Sequence, residues 1–305
     1  MRNFCAIGDT RYLPHLLSLI DSARQNFTEV YTFHILAMDD YTFRKLQILR
    51  PGKDIQLYSL NEVNEDFQIR AIRYAAPSRE AISNANASNK DPGFVQFCWA
   101  LASCFSFWLM ERRKISVTYV DADIFFFNDI KPFFKELSSK SIGLVSHRIP
   151  YLMTSGEFNV GIVHFEYDSY GKSALNKWKS FLLNNQNNYS IGFGTCGDQK
   201  YLEIIHSIYK DQTSIVDEKF GHLAPWNVTQ HKYDSGKIVW KDIKQDLCYF
   251  HFAHFVIEND QSYRASYNNE WIWGEPLKVD NFVNKCYDEY FIHMKKVISE
   301  IESCV

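Results

Sequence analysis

FCAIGDTRYLPHLLSLIDSARQNFTEVYTFHILAMDDYTFRKLQILRPGKDIQLYSL, residues Phe4 to Leu60, alternates between two hydrophobic periods, and that alternation decides the fold. Phe4 to Ile7 is a short unbroken apolar run, as a strand buried on both faces requires. Tyr12 to Phe27 then places Leu13, Leu16, Leu17, Ile20 and Ala23 three and four residues apart, which makes one stripe of a helix. Val30 to Met38 repeats the strand pattern, Tyr41 to Leu49 the helical one, and Ile55 to Leu60 supplies a third strand. The order β-α-β-α-β with short connections predicts an α/β chain with a parallel, right-handed, Rossmann-like sheet flanked by helices. Such sheets bind ligands beyond the C-terminal ends of their strands, so Asp9, just past the first strand, is a candidate.

Further along, Ile115 to Ile130 reads ISVTYVDADIFFFNDI. A β-branched and aromatic run carries Asp121 and Asp123 to its C-terminal end, where they are expected to point into solvent in the same crevice as Asp9. A bare Asp-x-Asp is a frequent accident of composition, so its surroundings decide. Val117, Tyr119 and Val120 precede the pair and Phe125, Phe126 and Phe127 follow it, a segment that otherwise belongs in a core. Two adjacent carboxylates there repel each other and resist ionisation unless a cation neutralises them. Hard cations such as Mn²⁺ and Mg²⁺ take carboxylate oxygens, and a cation that also grips a diphosphate uses only one or two from the protein. A third ligand is expected from the aromatic run Tyr249 to Phe255, YFHFAHF, which offers His251 and His254; a neutral imidazole suits Mn²⁺. Against this stands the plainer reading of such a histidine as a hydrogen-bonded core residue.

The rest of the chain sets bounds. A length of 305 residues at 46% hydrophobic gives ample core for one α/β unit, and no repeat or low-complexity linker divides it. We therefore expect a single domain over 1–305, with a nucleotide-binding half at about 1–125 and an acceptor-side half at about 126–305. A net charge of −3 without a long basic run argues against nucleic acid as the main partner. Seven cysteines, odd in number and without a Cys-x-x-Cys pair, predict a reducing, cytoplasmic setting and no structural zinc. No secretory signal or spanning segment is legible.

Ala75 to Phe94 reads as a polar loop and Val95 to Met110 as a helix. Ile142 to Ser146 and Glu157 to Phe165 read as strands, and Ser173 to Leu183 as an amphipathic helix. Gly192 to Gly197 reads as a glycine-marked loop opening onto a helical run, Asp198 to Ile208, for which Asp198 is a candidate N-cap. At the C-terminus, Asn281 to Ile301 carries an apolar stripe of an amphipathic helix. It is expected to pack on its own domain, with a dimer contact or peripheral association with the inner face of a membrane as the alternatives.

In chain order, the segments FCAIGDTRYLPHLLSLIDS, TYVDADIFFF, EFNVGIVHF, GDQKYL, LAPWN and YFHF resemble those of GT-A fold glycosyltransferases. The similarity is to the bacterial nucleotide-diphospho-sugar transferase family and, more distantly, to the retaining glycosyltransferases of family 8, which include glycogenin and lipooligosaccharide galactosyltransferases. The resemblance implies a mixed GT-A sheet and a metal-dependent transfer of sugar from a nucleotide-diphosphate sugar, a UDP-sugar by preference, to a glycan or glycolipid acceptor. Bacterial surface polysaccharide or lipopolysaccharide is the implied product. It also implies residue roles. Asp9 would contact the base, with Ala6 and Tyr12 lining that pocket. Asp121, Asp123 and His251 would hold Mn²⁺ or Mg²⁺, and Asn159 and Gly161 would lie beside the donor sugar. Asp198 and Gln199 would approach the reacting carbon. The glycine and lysine that clamp the diphosphate in family 8 have no counterpart after His251, where Ala253, His254 and Phe255 follow; Arg73, Arg79 and Lys90 are the substitutes on offer. Trp226 is either an acceptor-stacking platform or a packing residue.

Two other functions compete. A sugar-phosphate nucleotidyltransferase would carry a glycine-rich basic phosphate loop after its first strand, and Gly8 to Tyr12, GDTRY, is not one. A catalytically inactive glycan-binding GT-A domain would have no need of an acidic pair at a strand end.

Overall fold

The structure is a computed structural model that describes residues 1–63, 92–148, 156–184, 198–217, 220–268 and 277–304. Arg73, Arg79, Lys90, most of the polar loop and the glycine-marked loop lie outside the described residues.

The opening alternation folds as its periods require. Strand β1 (Arg2–Gly8), helix α1 (Leu13–Asn26), β2 (Tyr31–Ala37), α2 (Asp40–Leu49) and β3 (Ile55–Ser59) follow in order, with β1 parallel to β2 and β2 parallel to β3. Helix α1 begins with Pro14 in its first turn, where the missing N–H costs nothing, and buries Leu13, Leu16, Leu17, Ile20 and Ala23. The Asp39 carboxylate caps α2 by accepting the Thr42 N–H at 2.8 Å.

After a single turn of helix, α3 (Leu60–Val63), the chain is next described in α4 (Pro92–Arg113). Pro92 to Phe94 are thus helical rather than part of the expected loop, because proline is well tolerated in a first turn. Then come β4 (Val117–Val120), β5 (Ile124–Phe126), α5 (Lys131–Leu137), β6 (Ile142–Ser146), β7 (Phe158–Phe165), α6 (Ser169–Asn184), α7 (Lys200–Ile208), β8 (Thr213–Val216) and β9 (Gly221–Leu223). A meander, β10 (Lys232–Asp234), β11 (Lys237–Trp240) and β12 (Ile243–Gln245), leads to β13 (Leu247–His251), the hairpin β14 (Val256–Asn259) and β15 (Ser262–Arg264), and helix α8 (Asn281–Ser303).

Seven strands form the central sheet in the order β3-β2-β1-β4-β7-β6-β8. β4 is parallel to β1, while β7 runs antiparallel to both β4 and β6, and β8 is parallel to β6. The sheet is therefore mixed, and its one reversed strand has a consequence. The C-terminal ends of β1, β4, β6 and β8 and the N-terminal end of β7 all lie along one edge. A second sheet, β5-β13-β9, stands beside that edge, with β13 antiparallel to β5 and parallel to β9.

Helix α8 is capped by Asp280, whose carboxylate accepts the Phe282 N–H at 2.8 Å. Its stripe, Val283, Cys286, Tyr287, Tyr290, Met294 and Val297, is buried against α1 and the second sheet. The Tyr290 ring stacks on Phe252 with centroids 3.9 Å apart, and its hydroxyl lies 2.6 Å from His15 Nδ1. Each such aromatic removed from water contributes about 1.5–3 kcal/mol. Arg50 adds a clamp, reaching Asp21 at 2.5 Å and Glu300 at 2.8 Å. That stripe is spent inside the chain, packed on its own domain.

Candidate metal centre and active site

Asp9 and Asp121 each follow the C-terminal end of a strand, β1 and β4, and those strands are parallel neighbours. Both acids therefore stand at the same sheet edge. Backbone pairing fixes the second aspartate and the histidine relative to each other. The Asp121 N–H donates to the Gly161 carbonyl at 3.0 Å, extending the β4–β7 ladder by one residue. A tight turn follows, closed by the Ile124 N–H on the Asp121 carbonyl at 3.2 Å, and Ile124 then pairs with His251 across β5 and β13. The Phe252 N–H donates to the Asp123 carbonyl at 2.8 Å, which locks Asp123 beside the end of β13.

One ligand atom from each of Asp121, Asp123 and His251 lies within 4.8 Å of the others. His251 Nε2 is 3.0 Å from Asp123 Oδ1 and 3.7 Å from Asp121 Oδ2. The Tyr119 hydroxyl donates to Asp121 Oδ1 at 2.9 Å. The acids are partly covered rather than turned out into solvent, with Asp121 30% and Asp123 14% exposed at the side chain.

Burial and the Asp123 charge push the Asp121 carboxyl up to about 6, against the pull of His251. Burial also works against the charge on Asp123, but the adjacent His251 charge and hydrogen bond hold it well below the usual carboxylate range. Desolvation likewise opposes charge on His251, yet the two acids raise its pKa. Such a cluster gains from a divalent cation, and two carboxylates with an imidazole are a hard-to-borderline set that fits Mn²⁺ or Mg²⁺. His251 Nδ1 is buried without a hydrogen-bond partner among the described residues, so it is Nε2 that addresses the acids.

Space around the histidine is tight. A Cβ added at Gly161 would stand 2.7 Å from His251 Nδ1 and 2.4 Å from Asn159 Oδ1, so glycine is what lets β7 pass under the imidazole. Asn159 is buried, and its Oδ1 accepts the Gly161 N–H at 2.7 Å. Trp226 packs edge-on against His251 and against His147, with ring centroids 5.2 and 5.6 Å apart. It is half-buried and packs on both imidazoles.

Asp198 and Gln199 enter from the turn before α7. Asp198 is 7% exposed, and burial followed by the Asp121 charge pushes its carboxyl up to about 8. It is not the N-cap of α7; that position falls to Gln199, whose side chain makes no capping bond. The Trp178 indole N–H donates to the Asp198 carbonyl at 3.1 Å and holds the turn down.

At the β1 end, Ala6 is fully buried within its strand. Asp9 is also buried, and its carboxylate is already engaged: Oδ2 takes two bonds from the Arg11 guanidinium at 2.8 and 2.6 Å, and Oδ1 accepts the Arg11 and Tyr12 N–H groups at 3.1 and 3.3 Å. Tyr12 is 41% exposed; burial of its hydroxyl and the charges of Asp123, Asp121 and Asp9 raise its pKa. Tyr12 and the acidic pair are thus close enough for the charges of Asp121 and Asp123 to act on its hydroxyl.

Two side chains escaped the sequence reading, His147 and Arg148, which directly follow β6. The signal was available, since polar residues one or two positions past a strand end had already singled out Asp9 and Asp121. Arg148, with a buried side chain and a φ of +53°, donates to the Asp217 carboxylate at 2.7 Å and to the Asp217 and Phe220 carbonyls at 2.6 and 3.0 Å. Its guanidinium lies 4.9 Å from the Trp240 ring centre. This clasp ties the site edge of β6 to the segment between β8 and β9 and to the meander.

No family model matches the chain. It is 25% identical over 307 residues to the uncharacterized protein YfnF of Bacillus subtilis (strain 168), covering 95% of this chain and 92% of that one. In structure it is similar to mouse xyloside xylosyltransferase 1 in its apo form, with a TM-score of 0.51 at 10% identity over 83% of this chain and 98% of that one. An active-site mutant of LgtC gives a TM-score of 0.54 at 12% identity over 83% and 88% of the two chains. The galactosyltransferase LgtC in complex with donor and acceptor sugar analogs gives 0.50 at 12% over 82% and 87%. At such identities the likeness is one of fold, and the fold is the GT-A type.

Proposed function

We propose that this chain is a metal-dependent glycosyltransferase that moves a sugar from a nucleotide-diphosphate sugar, a UDP-sugar by preference, to a glycan or glycolipid acceptor in bacterial surface polysaccharide synthesis. The observation that carries the reading is the convergence of Asp121, Asp123 and His251 within 4.8 Å at the ligand-binding edge of a GT-A sheet. When bound there, Mn²⁺ or Mg²⁺ supplies Lewis-acid stabilisation of the departing diphosphate.

The remaining roles fall to the chain's own groups. Asp9, Ala6 and Tyr12 line the base end, Asn159 and Gly161 the donor sugar, and Asp198 with Gln199 hold the sugar against its acceptor. Retention of anomeric configuration is the preferred outcome, because it needs no strong protein base: the leaving diphosphate takes the acceptor proton while Asp198 and Gln199 orient the sugar. The whole chain acts as one unit in this reading. The free thiols of Cys5, Cys98, Cys104, Cys248, Cys286 and Cys304 support a reducing, cytoplasmic compartment. Among the described residues, no helix is long and apolar enough to cross a membrane.

The test is a panel of nucleotide-diphosphate sugars incubated with Mn²⁺, read as release of nucleoside diphosphate and, with acceptor glycans, as the anomer formed. Release from one donor class supports the reading. Turnover of a nucleoside triphosphate with a sugar phosphate, without sugar transfer, would replace it with the nucleotidyltransferase.

A further inference from the structure

His147, one residue beyond β6, is 3% exposed and sits where three segments meet. Its Nδ1 lies 2.7 Å from the Gly156 carbonyl oxygen. A carbonyl only accepts, so Nδ1 carries the hydrogen. Burial pushes the pKa of the ring down to about 4, which leaves it neutral at pH 7 with a lone pair on Nε2.

Two side-chain amides meet that lone pair. Asn159 Nδ2 is 3.4 Å away, and its orientation is settled because Oδ1 of the same amide accepts the Gly161 N–H. Gln199 Oε1 stands 3.1 Å from Nε2. Two acceptors facing each other gain nothing, whereas a half-turn of the amide exchanges oxygen and nitrogen within nearly the same volume and sets an N–H on the lone pair.

We infer that His147 is a positioning residue whose Nδ1–H tautomer turns the Gln199 amide so that its NH₂ group meets the imidazole and its carbonyl oxygen faces away, towards the donor sugar. The inference rests on the transferase reading above and gives it a polarity. A carbonyl oxygen near the anomeric carbon stabilises the positive charge that builds there as the glycosidic bond breaks, and an amide N–H in its place would oppose it. The same imidazole also supports the metal ligands. Hydrogen bonds run from the Gly156 carbonyl through His147 and Asn159 to the Gly161 N–H, and the Gly161 carbonyl accepts from the Asp121 N–H. Trp226 closes one side of the ring, and Asn227 Nδ2 donates to the His147 carbonyl at 3.2 Å, so the imidazole has little room to rotate.

Two measurements test this. In the wild-type protein, ¹⁵N-labelled at histidine, a long-range nitrogen–proton spectrum at pH 7 should show His147 protonated at Nδ1 and bare at Nε2. In steady-state kinetics with Mn²⁺ and the best donor, His147→Phe, which fills the volume without a lone pair, should lower kcat about 10- to 100-fold, as loss of an orienting partner does. The donor KM should stay within about threefold, because ground-state binding is not what His147 supplies. His147→Gln, which can offer an oxygen where Nε2 stood, should recover most of the lost kcat. A proton on Nε2, or a His147→Phe enzyme with wild-type kcat, would overturn the inference. If the Phe variant does not fold, the wild-type spectrum still decides. If the wild type turns over no nucleotide sugar, it is the transferase reading that fails, and the spectrum judges the tautomer separately.

Discussion

Replacing Gly161 with alanine adds one methyl group at the most crowded point of the site. The new Cβ would stand 2.7 Å from His251 Nδ1 and 2.4 Å from Asn159 Oδ1. Ordinary contact begins near 3.4 Å, so the ring must retreat by about 0.7 Å and the amide by about 1 Å. Neither can do so by swinging a flexible end. The imidazole is braced by Trp226, and the amide is held by the Gly161 N–H and faces His147. Metal ligands tolerate displacements of only about 0.2 Å. Moving Nε2 several times that distance should weaken Mn²⁺ binding about 10- to 100-fold, the range seen when the support of a metal-ligating histidine is lost. Overpacking should cost global stability about 1–3 kcal/mol. The assays are calorimetric titration with Mn²⁺ and urea unfolding of Gly161→Ala beside the wild type. A variant that binds Mn²⁺ as tightly as the wild type would refute the reasoning, whatever its stability, because His251 would then not be the ligand that Gly161 makes room for.

Other expectations follow from the same contacts. Asp123→Ala should lose turnover to below detection while keeping its circular dichroism, since Asp123 sits in a turn held by backbone bonds; retained activity would remove it from the mechanism. Asp217→Ala strands the buried Arg148 guanidinium and should destabilise the fold by about 3–5 kcal/mol in urea unfolding; a loss under 1 kcal/mol would deny the clasp its role. Although burial opposes its charge, Arg148 and its other partners hold the Asp217 carboxyl down at about 2, below its unfolded value near 3.9. Its stabilisation is therefore complete above pH ~4 and fades as pH falls towards 2, so Asp217→Asn should show a flatter stability profile between those values than the wild type.

How much of this the sequence disclosed depended on how local the signal was. β1 and β2 are written as apolar runs buried on both faces and α1 in a period of 3.6 residues, and Leu13, Leu16, Leu17, Ile20 and Ala23 face the core as their spacing requires. Asp121 and Asp123 stood out because charged side chains interrupted an apolar strand. His251 was legible as a polar residue among aromatics, but its partner was not, since the register that joins it to Ile124 spans more than a hundred residues. His147 and Arg148, the two residues after β6, share the strand-end position that marked Asp9 and Asp121, but their partners reach them only when β7, α7 and the residues after β8 close round them. The start of α4 was misplaced by the turn residues Asp91, Pro92 and Gly93, where proline opens the helix. Asp9 was correctly placed at its strand end, but that Arg11 already grips its carboxylate could be read only from the folded turn.

The central claim, that Asp121, Asp123 and His251 mount a cation which in turn holds a diphosphate, is tested most directly by titrating UDP into the protein with and without Mn²⁺. Affinity should rise at least about tenfold, or ~1.4 kcal/mol, when Mn²⁺ is present. The gain should vanish in Asp123→Ala. Equal affinity under both conditions would contradict the account.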